Sequence, residues 1–496
     1  MVFEDMHITS FSYLGNFDLS SHFLENFRTL PIMDIILSSR GRNKIAYNGY
    51  IYRKDKATQT TISWRCEVKG CKGRLSTTLE YESDRNCTEK GEHSHAPDVI
   101  KVGEEMVKEK VLKAAETTHD TPRRILQDAI AGLPDELAAN IGSGAKLKSS
   151  ISRKRRIMGN YPPPPLSAAS IIIPESLRLT FTGDNFILYD SGISDVNRVF
   201  IFGTKESLAW LKENRHWLVD GTFKTSPSIF LQIFTVHVLI KENVIPCVYV
   251  LLTNKCEESY KLVFNKLKSL EPLLDPISVL IDFEIAVKNA IACVFPRANI
   301  TGCFFHLGQC VWRKIINVGL RERYVNEENV RTLIKMMTCT AFLPTDDVIK
   351  GFEALRNLES YNEDLDVIFD YFEDNYIGRP MSNNRRRRPK FPLSMWNVFD
   401  RLQTGLPRTN NAVEGWHTAF QGSLSCSHPT VWLLIEALRR EESLQRTKYL
   451  GIMSGEPLRK KRKYENLERR IKSIIEFRED VEITVYLRHL AYNITF

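Results

Sequence analysis

The sequence predicts a mixed α/β protein built in parts: a small β-rich module, a basic helical segment, and a larger α/β domain interrupted by a helical insertion. Three observations predict it. At 496 residues the chain exceeds what one compact core organises. Tyr161 is followed by four prolines at 162–165, a stiff linker suited to a domain boundary. The apolar pattern also changes along the chain, from short alternating runs to a 3.6-residue period and then to buried apolar runs.

Residues 32–97 read as short strands at 45–52, 60–66 and 75–81, punctuated by Gly49, Gly70 and Gly73. From 101 to 160 the pattern is helical. Val102, Met106, Val107, Val111 and Leu112 recur near the helical period, Thr121-Pro122 opens another helix, and the segment ends in Arg153-Lys154-Arg155-Arg156. The larger domain spans 167–435. Strands are expected at 216–220, 229–240 and 244–252, a helix at 257–270, a strand at 277–282, a helix at 284–294, a strand at 299–305 and a helix at 307–318. That β-β-β-α-β-α-β-α order is the RNase H order. A helical insertion is expected at about 321–408, with an arginine-rich loop at 383–390, and a C-terminal helical region at 436–496.

Composition is that of a water-soluble globular chain, 43% hydrophobic and 26% charged. No apolar run reaches the ~18 residues of a membrane span, and the first residues, Met1 to Asp5, do not form a secretory leader. Net charge is +8, concentrated at 153–156, 385–390 and 459–463. Such clusters suit phosphate contact or nuclear import, or form a solvated charged face; three of them flanking one domain favour a polyanion partner. Of ten cysteines, Cys66 and Cys71 have zinc-like spacing and Cys303 is grouped with a histidine. The rest read as small buried hydrophobes or inert thiols.

Cys66-x4-Cys71 is followed, after 21 residues, by His93-x-His95. Two thiolates and two imidazoles make a closed tetrahedral set, which suits structural rather than catalytic Zn²⁺. A module of about 60 residues buries too little apolar surface to be secure alone, so a metal staple has a purpose. Tyr50, Tyr52, Trp64, Cys66, Cys71, Arg74 and His93-Ser-His95, preceded by Ser38-x-Arg40-Gly41, resemble the FLYWCH zinc finger over about 65 residues. Ile35 and Ile45 stand where that family has Phe and Leu, keeping apolar groups in the core. The resemblance implies binding to DNA, or in some members to protein. Arg40, Arg42, Lys44, Arg53 and Lys54 are candidate phosphate contacts in the module. Arg153, Lys154, Arg155 and Arg156 are candidates behind it.

Asp220 closes Trp217-Leu-Val-Asp220, and Asp282 closes Ile277-Ser-Val-Leu-Ile-Asp282. Carboxylates at strand ends pack poorly but suit metal at a sheet edge. Two neighbouring strand ends with a third acid, best Glu414 near a helix start with Asn410 or Asn411 as caps, would form a pocket for Mg²⁺ or Mn²⁺. Asp220-Gly-Thr-Phe with Pro227, Asp282-Phe-Glu284-x-Ala286, Cys303-Phe-Phe-His306 and Thr409-Asn-Asn-x-x-Glu414-x-x-His417 resemble, in order, the Mutator-like element (MULE) transposase domain over about 210–435. The resemblance implies Asp220, Asp282 and Glu414 as a catalytic DDE triad. It also implies an insertion, for which the 131 residues between Asp282 and Glu414 leave room. Cys303 and His306 can bind metal, position DNA or simply pack; Glu284 and His417 are candidates to support the triad. The SWIM-type zinc site that many family members carry is not seen, since no cysteine follows residue 430.

The expected protein is thus a DNA transposase. It would act on terminal inverted repeats and target double-stranded DNA by hydrolysis and strand transfer, in the nucleus, as a homo-oligomer and without a membrane. The alternatives are a domesticated DNA-binding regulator that keeps the finger without catalysis and, less favoured by the basic clusters, a protein-binding adaptor.

Overall fold

The computed structural model of the chain describes residues 33–37, 42–118, 120, 122–141, 144–158, 161–382, 385–424, 426–455 and 462–494. It divides into two compact units, 1–161 and 162–496.

In the first unit six strands form one antiparallel sheet in sequence order: β1 (Asp34–Leu37), β2 (Asn43–Tyr47), β3 (Tyr50–Ala57), β4 (Thr61–Cys66), β5 (Arg74–Thr78) and β6 (Cys87–Lys90). The single strand expected over 45–52 is two. Asn48 and Gly49 take φ of 51° and 78°, the tight two-residue hairpin that an Asn-Gly pair favours. A Cβ at Gly49 would meet Pro97 Cβ at 2.7 Å, so no side chain fits there. The strand expected over 75–81 stops at Thr78, and Tyr81 opens a short helical turn, Tyr81–Asp84. Ile45, Tyr52, Trp64 and Leu75 are buried between the strands and the turns. Trp64 Nε1 donates to Thr77 Oγ1 at 2.9 Å, which satisfies the one polar atom of the largest buried ring.

Four helices follow in the same unit: α1 (Val99–Thr117), α2 (Pro122–Ile130), α3 (Asp135–Ile141) and α4 (Ala145–Met158). Asp98 caps α1 by accepting the Lys101 amide at 2.9 Å. The helix buries Val107, Val111 and Ala115, spaced by four, against the other helices. Val102 and Met106 lie against Ile36, Ala46 and Ile51 of the sheet. One helix therefore closes two small cores, each too small to stand securely by itself.

In the second unit seven strands form a mixed sheet. These are β7 (Ile187–Asp190), β8 (Phe200–Phe202), β9 (His216–Thr222), β10 (Gln232–Ile240), β11 (Asn243–Leu252), β12 (Ser278–Ile281) and β13 (Asn299–Gly302), in the order β13-β12-β9-β10-β11-β8-β7. β9, β10 and β11 form an antiparallel meander, and β12 and β13 run parallel to β9. β10 is buried on both faces along almost its whole length, so both sides of the sheet must be covered there. β7, β8 and the helix α5 (Lys205–Glu213) were not among the expected elements. The strands are four and three residues long and carry too little pattern to stand out.

Helices α6 (Glu257–Leu270), α7 (Ile285–Val294) and α8 (Phe304–Asn317) share one core with the sheet, in which Val263, Phe264, Ala290, Ile291, Leu307 and Val311 pack with Val219, Phe234 and Ile281. The 321–408 stretch contains α9 (Glu328–Cys339), α10 (Val348–Arg356) and α11 (Asp366–Phe372) among shorter turns. After it come α12 (Asn411–Leu424), α13 (Val431–Met453), α14 (Arg462–Glu476) and α15 (Ile483–Asn493). A boundary between 435 and 436 falls inside α13, a 23-residue helix, so no separate region begins there. Among the described residues no helix is long and apolar enough to cross a membrane.

Candidate metal centres and nucleic-acid contacts

In the first unit β4 delivers Cys66 and the following turn, with Gly70 at φ 86°, returns Cys71 beside it. His93 and His95 come from the segment after β6. One ligand atom from each of the four lies within 4.8 Å of the others. Cys66 Sγ is 3.2 Å from His95 Nε2, and Cys71 Sγ is 3.4 Å from His93 Nδ1. The remaining ring nitrogens face away. His93 Nε2 meets the Tyr52 hydroxyl at 2.9 Å, and His95 Nδ1 meets the Ala96 carbonyl at 2.9 Å. Tyr50 stacks on the His93 ring at 3.6 Å, and a Cβ at Gly73 would meet that ring at 2.3 Å. The packing thus seats the imidazole in one pose, as a metal ligand needs. Burial pushes the Cys66 thiol up. Burial would also raise Cys71, but amide donors from Ser94 and Gly73 outweigh it and bring the thiol down to about 6, ready as a thiolate. All four donors belong to the protein, so the set fits structural Zn²⁺.

In the second unit the sheet register builds the acid site. The parallel pairing sets Ser278 opposite His216 and Leu280 opposite Leu218. Two residues further on, Asp282 lies level with Asp220. The β12–β13 pairing sets Ile281 opposite Gly302, which brings Cys303 level with Asp282. β9 continues past Asp220 to Thr222, so this acid sits within the strand, while Asp282 lies just beyond β12. The strand expected over 299–305 ends at Gly302, because α8 begins at Phe304 with Cys303 in its N-cap position.

Asp220 is 9% exposed. It accepts the Gly221 amide at 2.7 Å and sits 3.5 Å from His417 Nδ1. His306, from the first turn of α8, reaches Asp282 Oδ1 at 2.8 Å through Nδ1 and Glu414 Oε1 at 3.5 Å through Nε2. The three acids therefore converge from β9, β12 and α12. They do not come as close as the zinc ligands: among the described residues only the Cys66 set gathers three or more ligand atoms within 4.8 Å. Protein groups fill the gaps, His306 between Asp282 and Glu414, and the Asn410 amide between Asp220 and Asp282, at 3.3 and 3.1 Å.

Burial and the Asp282 charge push the Asp220 carboxyl up to about 8. Burial also raises Glu414. Burial alone would lower His306, but its bonds to Asp282 and Cys303 dominate and carry it up to about 11, so it is an imidazolium. His417 goes the other way: burial takes it down to about 4, so it is neutral. Its Nε2 lies 3.3 Å from Thr235 Oγ1. Glu284 lines the same cleft as Asp220 and Asp282, held by Lys255 at 3.1 Å and by the Tyr260 hydroxyl at 2.8 Å. Three acids partly neutralised by an amide and one imidazolium fit a site for hard divalent cations.

Asn410 is the site residue that sequence reasoning missed. In the sequence it reads, with Asn411, as a candidate helix cap. Its carbonyl does accept the Val413 and Glu414 amides that open α12, but its side chain turns away from the helix to the acids. Its signal in the sequence is its place four residues before Glu414, within Thr409-Asn-Asn-x-x-Glu414.

The candidate DNA contacts are unevenly free. Arg40 lies outside the described residues, as does the side chain of Arg156. Arg42 precedes β2. Lys44 pairs with Glu67 at 3.1 Å and Lys154 with Glu116 at 2.5 Å. Arg155 donates to the carbonyls of Ala115, Thr118 and Asp120 at 3.3, 2.9 and 2.8 Å, closing the end of α1. Arg153 is exposed. In the second unit Arg385, Arg387, Arg388 and Lys390 are exposed, whereas Arg386 is tied to Glu353, Glu373 and the Gly378 carbonyl. The side chains of 459–463 lie outside the described residues.

Residues 35–95 match the model of the FLYWCH zinc finger domain. Residues 216–309 match that of the MULE transposase domain. The second stretch holds Asp220, Asp282, Glu284, Cys303 and His306, while Glu414 and His417 lie beyond it. No curated protein matches the chain. The chain thus combines an N-terminal FLYWCH finger with a MULE transposase domain, a pairing that suggests a transposase-related, DNA-binding protein.

Proposed function

We propose that the second unit is an RNase H-like DDE transposase core and that Asp220, Asp282 and Glu414 are its catalytic acids. The observation that carries this reading is the register that sets Asp282 level with Asp220, with α12 bringing Glu414 to the same place through His306. The meander β9-β10-β11, flanked on the β9 side by parallel β12 and β13, supports the RNase H-like reading of the sheet. The substrate is double-stranded DNA: the terminal repeats of a transposon, then a target. The finger and the helices behind it bind DNA, the protein acts in the nucleus, and it self-associates to bring two ends together.

The three acids would hold Mg²⁺ or Mn²⁺, which when bound lowers the pKa of an attacking hydroxyl and neutralises charge at the phosphate. The chain's own residues do the rest. Asn410 spaces the two aspartates. His306 holds Asp282 and Glu414 in register. His417, neutral, keeps Asp220 in place without adding a charge. Lys255 and Tyr260 fix Glu284 at the rim of the cleft.

Purified protein with Mn²⁺ should nick terminal-repeat DNA at the repeat ends, and Asp282→Asn should abolish nicking without loss of DNA binding. Nicking that survives in Asp282→Asn would refute the assignment. A second reading, a DNA-binding regulator without catalysis, is favoured by one observation: the transposase match stops at 309, short of Glu414. Salt-sensitive binding with no cleavage would select it.

A further inference from the structure

Cys303 is fully buried, and its thiol faces Asn410, with the His306 imidazole also within hydrogen-bonding reach. The contact has two points. Cys303 Sγ donates to Asn410 Oδ1 at 3.1 Å, and the Asn410 backbone amide donates to Cys303 Sγ at 3.3 Å. A thiol or a hydroxyl can donate and accept at once; a thiolate cannot donate, and an alkyl group can do neither. Asn410 is itself fully buried. Because its Oδ1 is engaged by the thiol, its NH₂ must face the other way, where it donates to Asp220 Oδ2 at 3.3 Å and Asp282 Oδ1 at 3.1 Å. A flipped amide would turn its carbonyl oxygen on the two carboxylates and give up all three side-chain bonds as they stand.

The surroundings hold both partners still. Cys303 leads directly from β13 into α8 and its amide bonds the Ile281 carbonyl at 2.8 Å. The Phe304 amide bonds the Arg408 carbonyl at 3.0 Å, which pins the loop before Asn410 to the same strand end. Arg401 donates to the Pro407 carbonyl at 2.6 Å and to Thr301 Oγ1 at 2.9 Å, anchoring that loop from its other side.

We infer that Cys303 is a positioning residue: it clasps Asn410, and through the Asn410 amide it sets the separation and facing of Asp220 and Asp282. It is not a metal ligand. This inference rests on the proposed reading of those two acids as the cation site, but the clasp itself can be measured without a cation.

The experiment uses the full-length, zinc-loaded protein and five forms: wild type, Cys303→Ser, Cys303→Ala, Asn410→Ala and the Cys303→Ala/Asn410→Ala pair. Thermal melting without added Mg²⁺ or Mn²⁺ reads the clasp. Mn²⁺ binding, followed by the electron-spin signal of the free ion, reads its consequence. Removing a group that orients a metal ligand should weaken Mn²⁺ binding by about 10-fold or more in each alanine variant. The pair should bind no worse than Asn410→Ala alone, since the thiol acts only through the amide, and Cys303→Ser should stay within about threefold of wild type because it keeps both hydrogen bonds. In melting, the two alanine effects should be non-additive. Additive effects would overturn the clasp. So would a Cys303→Ser variant that loses Mn²⁺ while melting like wild type, since that would make sulfur itself a ligand. If wild type binds no Mn²⁺, the proposed cation site falls, and the melting cycle still decides the clasp.

Discussion

Asp220 offers a direct test of whether this acid cluster is strained for the sake of a cation. With no cation bound, carrying its carboxyl from the ordinary 3.8 up to about 8 disfavours the ionised form by roughly 6 kcal/mol. An acid whose folded pKa is raised holds its proton more tightly folded than unfolded. Its contribution to stability is fully present below about pH 4 and is lost as pH rises toward 8. Asp220→Asn removes that loss. The gain is smaller than the full figure, because the amide gives up one acceptor facing Asn410 and His417. A net stabilisation of about 2 kcal/mol at pH 8 remains, roughly 3 °C in melting temperature for a unit of this size. Between pH 5 and pH 8 the variant should therefore gain about 4 kcal/mol on wild type, passing from the less stable of the two at pH 5 to the more stable at pH 8. Millimolar Mn²⁺ at pH 8 should close the gap by raising wild type alone. Calorimetry on the full chain, following the transition of the second unit, measures all three. A wild type more stable than the variant at pH 8 without cation, or a gap that does not change with pH, would refute the reasoning.

Three further outcomes are expected. Removing zinc with a chelator, or substituting Cys71→Ser, should abolish the near-ultraviolet dichroism of Trp64 and unfold the six-stranded sheet, because the metal contributes about 10 kcal/mol or more to a domain of this size; the melting of the second unit should not move. Arg155→Ala should lower the stability of the first unit by about 1–3 kcal/mol, since three carbonyls at the end of α1 lose their donor; denaturant melts of the first unit check it. Arg153→Ala should leave stability alone and reduce the salt dependence of DNA binding by about one ion, seen as a shallower slope of log affinity against log salt.

The parts that were legible in the sequence are those where one residue's chemistry reports its place. Cys66, Cys71, His93 and His95 are ligands by type and spacing, so the finger could be read before any fold. Asp220 and Asp282 stood out because each follows an apolar run in which a carboxylate has no packing use. What was not legible depends on register or on partners far away in sequence. Gly49 reads as punctuation in the sequence, yet the run around it reads as one strand because apolar residues continue on both sides. β7 and β8 are too short for a period to show. Arg155 looked like a phosphate contact because charge is visible in sequence; the backbone carbonyls that bind it are not. Asn410 looked like a cap because asparagine before a helix usually is one. Only the parallel pairing of β12 with β9 creates the two carboxylates that draw its side chain away.

The charge pattern around the acids offsets much of their mutual repulsion from within the protein. Three buried or half-buried carboxylates at one strand edge would repel one another strongly if all were ionised. Asp220 answers by holding its proton, and His306 answers by staying an imidazolium between Asp282 and Glu414. Asn410 supplies two N–H dipoles where a third positive group would otherwise be required. The metal-free site then carries close to one negative charge, counting two carboxylates against one imidazolium. Entry of a divalent cation favours release of the Asp220 proton and competes with His306 for Asp282 and Glu414, so cation binding should be linked to proton release and grow stronger as pH rises through 8. Measuring protons released per Mn²⁺ bound in lightly buffered solution tests that link: about one proton is expected for wild type and clearly fewer for Asp220→Asn. Equal release from both would show that Asp220 does not hold the proton, and the self-neutralising account of the cluster would fail.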